Sequence, residues 1–187
     1  MTDTTDILVA GTSGGVGTTT VTALLFDAMS SDPRGAPLLL DHSAGELGLR
    51  LPAGDDVGQV DSGLALHDLG PHAEAAVPRL RDPRTLLVLV APATPAGCAA
   101  ANRVVGPCDG RQLRRVLVAA VGVFGRHRIG PRLHELGSKV GGRSVVLLPQ
   151  DFALAAGGRI PPVRLGTGTI RAQRQLASML RERLRSL

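Results

Sequence analysis

The sequence predicts an α/β fold in which a mostly parallel central sheet is flanked by helices on both faces, giving three layers. Apolar runs of strand length alternate with stretches of helical periodicity along the 187-residue chain, an order typical of βαβ units. The first strand leads through a glycine-rich loop directly into a helix. Because the length suits one hydrophobic core and no internal repeat divides the chain, we expect a single domain over residues 1–187.

The first part of the chain is predicted to contain three strands and two clear helices. The strands are 7–10, 38–40 and 64–69, the helices are 19–30 and 73–80, and a turn lies at 33–37. The helix 19–30 has Val21, Leu24, Leu25 and Ala28 at helical spacing on one side. The segment 43–62 is rich in Gly and Asp, and is predicted to form loops with one short helix near 46–50.

The second part of the chain is predicted to alternate strands and helices more regularly. The strands are 85–91, 115–123 and 144–148, and the helices are 95–105, 130–140 and 169–187. The run 85–91 is continuously apolar, which is typical of a strand covered on both faces. Ligands on parallel sheets bind at the carboxyl ends of the strands, and Asp41, Asp68 and Pro149 all fall at such ends.

The composition argues against several classes of function. Aromatic residues make up 2% of the chain, with no Trp or Tyr, so the base-stacking surfaces of single-strand and RNA-binding proteins are not expected. The net charge of +5 permits contact with nucleic acid or an anionic membrane, but an ordinary solvated surface is favoured. The N-terminus is polar, so no signal peptide is predicted. The apolar runs are too short to span a membrane, and a cytoplasmic location is therefore expected.

The segment from Ile7 to Thr20, ILVAGTSGGVGTTT, contains the most informative motif of the chain. A strand runs through glycines into a helix N-terminus, an arrangement in which successive backbone N–H groups point inward and attract an anion. A standard P-loop, G-x-x-x-x-G-K-[ST], has a lysine where this chain has Thr18 and its first glycine where this chain has Thr12. The pattern therefore predicts a phosphate-type loop without its usual lysine.

Residues 13–20, SGGVGTTT, resemble the deviant Walker A motif of the ParA/MinD family, K-G-G-x-G-K-[ST]-[ST]. The matching positions are Gly14, Gly15, Val16, Gly17, Thr19 and Thr20. Ser13 and Thr18 replace both lysines, and Lys139 is the only lysine of the chain. An arginine could take their place, although the sequence does not identify which one. The resemblance implies that ATP or ADP with Mg²⁺ would be held by the matching residues and by Thr18, with no bound nucleotide as the other outcome.

The resemblance extends beyond the loop. Asp41 stands at the first aspartate of the family's D-x-D strand end, and Ser43 replaces the second. Asp68 stands at the Walker B aspartate, so the resemblance implies a Mg²⁺ site formed by Thr19, Asp41 and Asp68.

Pro149 and Asp151 resemble the P-x-D turn near the nucleotide base. The family's asparagine is absent from residues 121–124, and the segment between Asp41 and Asp68 is short for the family, which implies a trimmed helical layer.

These replacements predict that ATP hydrolysis has been lost, because phosphoryl transfer depends on positioning and on neutralising charge at the phosphate. The leading hypothesis is a degenerate ParA/MinD-like pseudo-ATPase. It would act in localisation, partitioning or assembly, such as pilus assembly, through protein–protein contacts and as a homodimer. One alternative is an active enzyme of the same superfamily, such as an ATPase, a GTPase or a dethiobiotin-synthetase-like protein. The other is a nucleic-acid-binding protein with an arginine-rich surface.

Three further features are predicted to be structural. His42 and His67 lie next to Asp41 and Asp68 at adjacent strand ends. Side chains alternate along a strand, so each histidine points away from its neighbouring aspartate. Packed or exposed histidines are therefore favoured over a shared metal site. Cys98 and Cys108 form no disulfide framework or zinc pattern, and are expected to be buried or half-buried. The terminal helix has arginines beside an apolar stripe, and packing of this stripe on the domain is favoured over membrane contact.

Overall fold

The computed structural model describes residues 4–30, 35–43, 47–51, 62–123, 130–141 and 143–187. The strands are β1 Thr5–Gly11, β2 Leu38–Asp41, β3 Leu64–Asp68, β4 Thr85–Pro92, β5 Val116–Val121 and β6 Val145–Leu148. They form one sheet in the order β2-β3-β1-β4-β5-β6, and every pair of neighbours within the described residues is parallel. This confirms the predicted α/β fold with a parallel central sheet.

Helices cover both faces of this sheet. They are α1 Thr18–Ser30, α2 Leu47–Arg50, α3 Ala73–Ala76, α4 Pro95–Val105, α5 Gly110–Leu113, α6 Gly130–Val140, α7 Phe152–Ala155 and α8 Thr167–Arg185. Successive strand residues point to opposite faces, so Ile7 and Val9 pack with α1 and α8, whereas Leu8 and Ala10 pack with α3, α4 and α6. The two resulting cores give the three layers that the sequence predicts.

The bounds of two predicted helices differ from those in the structure. The helix predicted over 73–80 is α-helical only to Ala76 and continues as a 3-10 turn, Val77–Arg81. Pro78 lies in this turn, and because proline has no N–H, it cannot sustain an α-helical hydrogen bond there. The terminal helix begins at Thr167 and ends at Arg185, rather than spanning 169–187.

The strand predicted over 115–123 is also shorter and ends at Val121. The short helix predicted near 46–50 is confirmed as α2, whose described part begins at Leu47. The trimmed layer predicted between Asp41 and Asp68 falls mostly on residues 44–46 and 52–61, which lie outside the described residues. Residues 33 and 34 of the predicted turn also lie outside them, as does residue 124 of the segment 121–124 that lacks the family's asparagine.

Among the described residues, two short α-helices and the 3-10 turn Pro162–Arg164 were not predicted. In α5, Asp109 and Gln112 form a reciprocal capping box, in which the Asp109 carboxylate accepts from the helix backbone and the Gln112 side chain accepts from Asp109 N. An Asp followed three residues later by Gln is the signal that could have identified this helix. α7 begins with the Asp151 side chain accepting a hydrogen bond from Ala153 N, and it is too short to show a hydrophobic period.

The terminal helix α8 packs on the domain through its apolar side, as predicted. Its buried residues include Ala172, Leu176, Ala177 and Leu180, which pack into the core that α1 also covers. Some of its arginines bind backbone carbonyls instead of simply facing water: Arg181 Nη2 donates to Ala28 O at 2.6 Å, and Arg183 donates to Arg114 O. Among the described residues, no helix combines the length and apolar character needed to cross a membrane.

Candidate functional site

The glycine-rich loop joins β1 to α1 at the carboxyl edge of the sheet, where the sequence predicts a ligand site. Gly15 and Gly17 have φ angles of 73° and 90°, in the left-handed region that favours glycine. The loop and the first turn of α1 form one wall of a cleft of about 580 Å³. Ser13, Gly14, Thr18, Thr19 and Thr20 all line this cleft, so the structure brings most of the predicted phosphate-binding residues together.

Thr18, which stands in the place of the conventional lysine, is buried and packs back onto β1. A Cβ atom built on Gly11 would lie 2.3 Å from Thr18 Oγ1 and 2.8 Å from Val16 Cγ2. Gly11 is therefore in such close contact with Thr18 and Val16 that a residue with a Cβ atom does not fit at this position without a shift. The same loop contains a buried polar atom, Thr12 Oγ1. Within the described residues, this oxygen has no hydrogen-bond partner.

A second chamber of about 500 Å³ adjoins the first across the loop. Ser13, Gly14, Gly15, Gly17, Thr20 and Arg50 line both chambers. The remainder of the second chamber is largely aliphatic and includes Val16, Val21, Val121, Leu148, Pro149 and Leu154, with Asp151 at its wall. Pro149 and Asp151, predicted to lie near a nucleotide base, are therefore placed beside the loop.

Arg50 also lines this cleft, although no sequence pattern predicts that it does. It lies in α2, and its guanidinium donates to Thr20 Oγ1 from Nη2 at 2.5 Å and from Nε at 3.2 Å. Nη2 also donates to Leu154 O at 2.9 Å, and Nη1 to Gly158 O at 3.0 Å. Arg50 therefore connects the start of α1 to the segment that follows β6. No motif marks it, because it lies in a four-residue helix and its contacts are distant in sequence.

The residues predicted to bind Mg²⁺ do not converge on the cleft. Thr19 lines the first chamber, whereas Asp41 and Asp68 line neither chamber. Asp68 is 0% exposed, and its carboxylate accepts from Gly70 N at 3.0 Å and contacts Ser43 Oγ at 3.2 Å.

Ser43, in the place of the family's second aspartate, is shared between the two carboxylates. Its hydroxyl also contacts Asp41 Oδ1 at 2.8 Å, and its backbone N–H donates to the same oxygen at 2.7 Å. Asp41 Oδ2 accepts from Leu47 N at 3.2 Å. Ser43 itself lines the cleft, and its hydroxyl contacts the buried Asp68 carboxylate. Because Mg²⁺ is held by only one or two carboxylates and usually keeps several waters, the Mg²⁺ site formed by Thr19, Asp41 and Asp68 stays a prediction.

Asp151 is engaged by three donors of its own chain. Its carboxylate accepts from Ala153 N at 2.9 Å, from Gly166 N at 2.8 Å and from Thr169 Oγ1 at 2.7 Å. Partial burial opposes ionisation, but these three hydrogen bonds outweigh it and hold the pKa of Asp151 below its usual value. Asp151 thus connects the cleft wall to the start of α8, and its predicted contact with a base stays a prediction.

The two histidines lie on the opposite face of the sheet from Asp68, as the strand alternation predicts. His42 Nε2 lies 3.0 Å from His67 Nδ1 in nearly coplanar rings, and His67 Nε2 lies 3.2 Å from Asp6 Oδ1. Arg79 Nη2 donates to the other oxygen of Asp6 at 3.3 Å. Burial lowers the pKa of His67, although the hydrogen bond to Asp6 opposes this. No group of three His, Cys, Asp or Glu side chains suited to a metal occurs in the described part of the chain.

The cysteines are free, with Cys98 buried and Cys108 half-buried, as predicted. Burial raises the pKa of both thiols above the usual value. Neither cysteine lines the cleft.

The parallel sheet, its two helical layers and the glycine loop between β1 and α1 define an α/β fold of the P-loop NTPase type. The solved structure of a ParA family ATPase from Chlorobium tepidum TLS is similar, with a TM-score of 0.55. The similarity covers 96% of this chain and 98% of that chain at 14% sequence identity. At this identity the likeness shows the fold alone, and the fold is ParA-like. No protein-family model matches the sequence, and no curated protein matches it either.

Proposed function

We propose that the protein is a degenerate ParA/MinD-like pseudo-ATPase that acts as a localisation, partitioning or assembly factor through contacts with other proteins. One observation supports this above all others. The ParA-like fold has a phosphate-type loop, but Ser13 and Thr18 stand where the family's motif has its two lysines, and Asp68 is buried and lines neither chamber. Removing cationic groups from a phosphoryl-transfer site removes the charge stabilisation on which that reaction depends.

Exposed apolar side chains near the cleft support a role in protein contact. Leu49 lines the first chamber and is 67% exposed, and Phe152, next to Asp151 in the chain, is 77% exposed. Contiguous exposed apolar surface is typical of protein interaction sites, so we infer that these side chains are candidate contact residues for a partner. The partner in this proposal is a protein, including a second copy of the chain, and the predicted cytoplasmic location suits it.

A phosphate-release assay with purified protein, ATP and Mg²⁺ tests the proposal, and we expect no turnover above a protein-free blank. Turnover that disappears in the Thr19→Ala variant would contradict it and would support the alternative of an active nucleotide-dependent enzyme. The Thr19 hydroxyl lies at the cleft wall, so this variant separates turnover in the cleft from a contaminating activity.

One observation favours nucleic-acid binding as a second candidate function. All arginine and lysine residues except Arg34 and Arg50 lie after residue 70. Arg84, Arg114 and Arg143 are exposed just before β4, β5 and β6, so they share the amino edge of the sheet, opposite the cleft. Retention on duplex DNA that weakens steeply with salt, and that weakens further when these three residues are changed to Gln, would establish this function.

A further inference from the structure

A groove of about 460 Å³ lies on the face of the sheet that α3, α4 and α6 cover. One of its walls is formed by α3 and the 3-10 turn Val77–Arg81, and the other by the end of α4, Pro107 and α5. None of the described residues that line this groove belongs to either chamber of the cleft. The groove is therefore a separate feature of the surface.

Two arginines line the groove, Arg81 from one wall and Arg103 from the other, and both are exposed. Neither guanidinium forms a hydrogen bond or an ion pair with any residue that the structure describes. Two nearby arginines differ in this respect, because Arg79 Nη2 donates to Asp6 Oδ2 at 3.3 Å and Arg115 donates to backbone carbonyls. The N–H donors of Arg81 and Arg103 are thus available to a molecule outside the chain.

The backbone of both walls is fixed by hydrogen bonds within the chain. Arg115 Nη2 donates to Leu80 O at 2.5 Å, immediately before Arg81. On the other wall, Gln112 Oε1 accepts from Asp109 N at 2.9 Å in the capping box of α5. Because this bond uses the side-chain oxygen of Gln112, its amide N–H groups are the part that can donate into the groove. A groove with a preorganised backbone loses less conformational entropy when a ligand binds.

The chemistry of the lining suits an acidic peptide. Guanidinium groups bind carboxylates through paired N–H donors, and arginine clusters are a recurring means of recognising acidic motifs. Glu74 also lines the groove, and Val104, Pro78 and Pro107 add apolar surface. A peptide supplies carboxylates for the arginines, backbone N–H groups for Glu74 and aliphatic side chains for the apolar part. The backbone of duplex DNA presents a row of negative phosphates, which the Glu74 carboxylate repels.

We propose that this groove binds an acidic segment of a partner protein, with Arg81 and Arg103 contacting its carboxylates. The inference rests on the proposed function, because it names the surface and the chemistry of one of the protein contacts through which the chain would act. The two fail separately, since peptide binding is measured without nucleotide and the proposed function is tested by ATP turnover.

Fluorescence anisotropy of a fluorescein-labelled peptide of repeated Glu-Glu-Leu units tests this inference with the full chain. The same peptide with Gln in place of Glu is the control ligand, and we expect only the acidic peptide to bind. Changing both Arg81→Gln and Arg103→Gln should weaken its binding about tenfold or more, because two charge-assisted contacts are lost. Arg171→Gln with Arg174→Gln removes the same charge from two exposed positions of α8, which packs on the opposite face of the sheet. This matched variant should leave the affinity within about threefold of the parent.

Circular dichroism checks that both double variants fold. If the groove variant does not, Arg81→Gln and Arg103→Gln are tested singly, and each should weaken binding about threefold or more. Three results would each overturn the inference: no binding of the acidic peptide, equal losses of affinity in the groove variant and the α8 variant, or tighter binding of a labelled DNA duplex that the groove variant abolishes. The last result would assign the groove to a nucleic acid instead.

Discussion

Thr18 packs against Gly11 so closely that a Cβ atom at Gly11 would lie 2.3 Å from Thr18 Oγ1. The contact joins the last residue of β1 to the first residue of α1, and so closes the loop at its base. A lysine at position 18 would extend into the cleft in a P-loop, whereas the short threonine side chain is buried against the strand. The residue that stands in place of the conventional lysine is thus part of the packing at the base of the loop.

This contact predicts that Gly11→Ala destabilises the protein by about 1–3 kcal/mol, because the new methyl group overlaps Thr18 and Val16. Gly14→Ala is the matched control, since a Cβ atom there meets nothing within 4 Å, and we expect a change below about 1 kcal/mol. Urea unfolding followed by circular dichroism measures both. Equal effects of the two substitutions would show that the Thr18 contact is not what constrains Gly11.

The hydrogen bonds that Arg50 donates to Thr20, Leu154 and Gly158 predict an effect on the stability of the fold. Arg50→Ala leaves Thr20 and the carbonyls of Leu154 and Gly158 without this donor, and we expect a loss of about 1–3 kcal/mol in the free energy of unfolding. Arg159→Ala should change it by less than about 0.5 kcal/mol, because Arg159 is exposed. The prediction fails if both variants unfold at the same urea concentration.

Asp151 predicts a specific dependence of stability on pH. Its pKa is lowered in the folded state from the ordinary value of 3.8, so its stabilising effect is complete above that pH. The effect is lost as the pH falls through the lowered value, because the carboxylate becomes protonated. Asp151→Asn should therefore be less stable than the parent near neutral pH, with the difference shrinking below about pH 4. Urea midpoints at neutral and acidic pH test this, and a constant difference would contradict it.

The buried face of α8 predicts that this helix belongs to the core. Leu176 is 2% exposed, and Leu176→Ala should cost about 2–5 kcal/mol through lost burial and a new cavity. Arg174 is exposed on the same helix, and Arg174→Ala should change stability by less than about 0.5 kcal/mol. Thermal unfolding compares the two. The prediction would be contradicted if the native protein co-sedimented with anionic lipid vesicles because α8 binds them. That result would show that the apolar side of α8 is available to a membrane.

The sequence predicts the layers well because strand alternation and helical periodicity are local. Val21, Leu24 and Leu25 identify α1, and the continuous apolar run of β4 identifies a central strand. Boundaries fail where a proline changes the type of helix, as at Pro78. The glycine loop also identifies the position of the cleft, since it depends on a single stretch of chain.

The chemistry of the cleft is less predictable, because it depends on contacts between distant segments. Arg50 meets Thr20 and Gly158 across the fold, and no spacing in the sequence marks these encounters. Asp68 ends β3, but its contacts include the Ser43 side chain, which belongs to another connection of the chain. Residue identity thus indicates which groups are present, and only the packing shows which of them reach the cleft.

A continuous series of covalent and hydrogen-bonded connections surrounds the cleft. The glycine loop continues into α1, and Gln173 of α8 donates to Leu24 O and to Asp27 of α1. From the start of α8, Gly166 and Thr169 lead back through Asp151 to the opposite wall. The terminal helix is therefore hydrogen-bonded both to α1 and to the Asp151 wall, so a displacement of α8 would act on both sides of the cleft together.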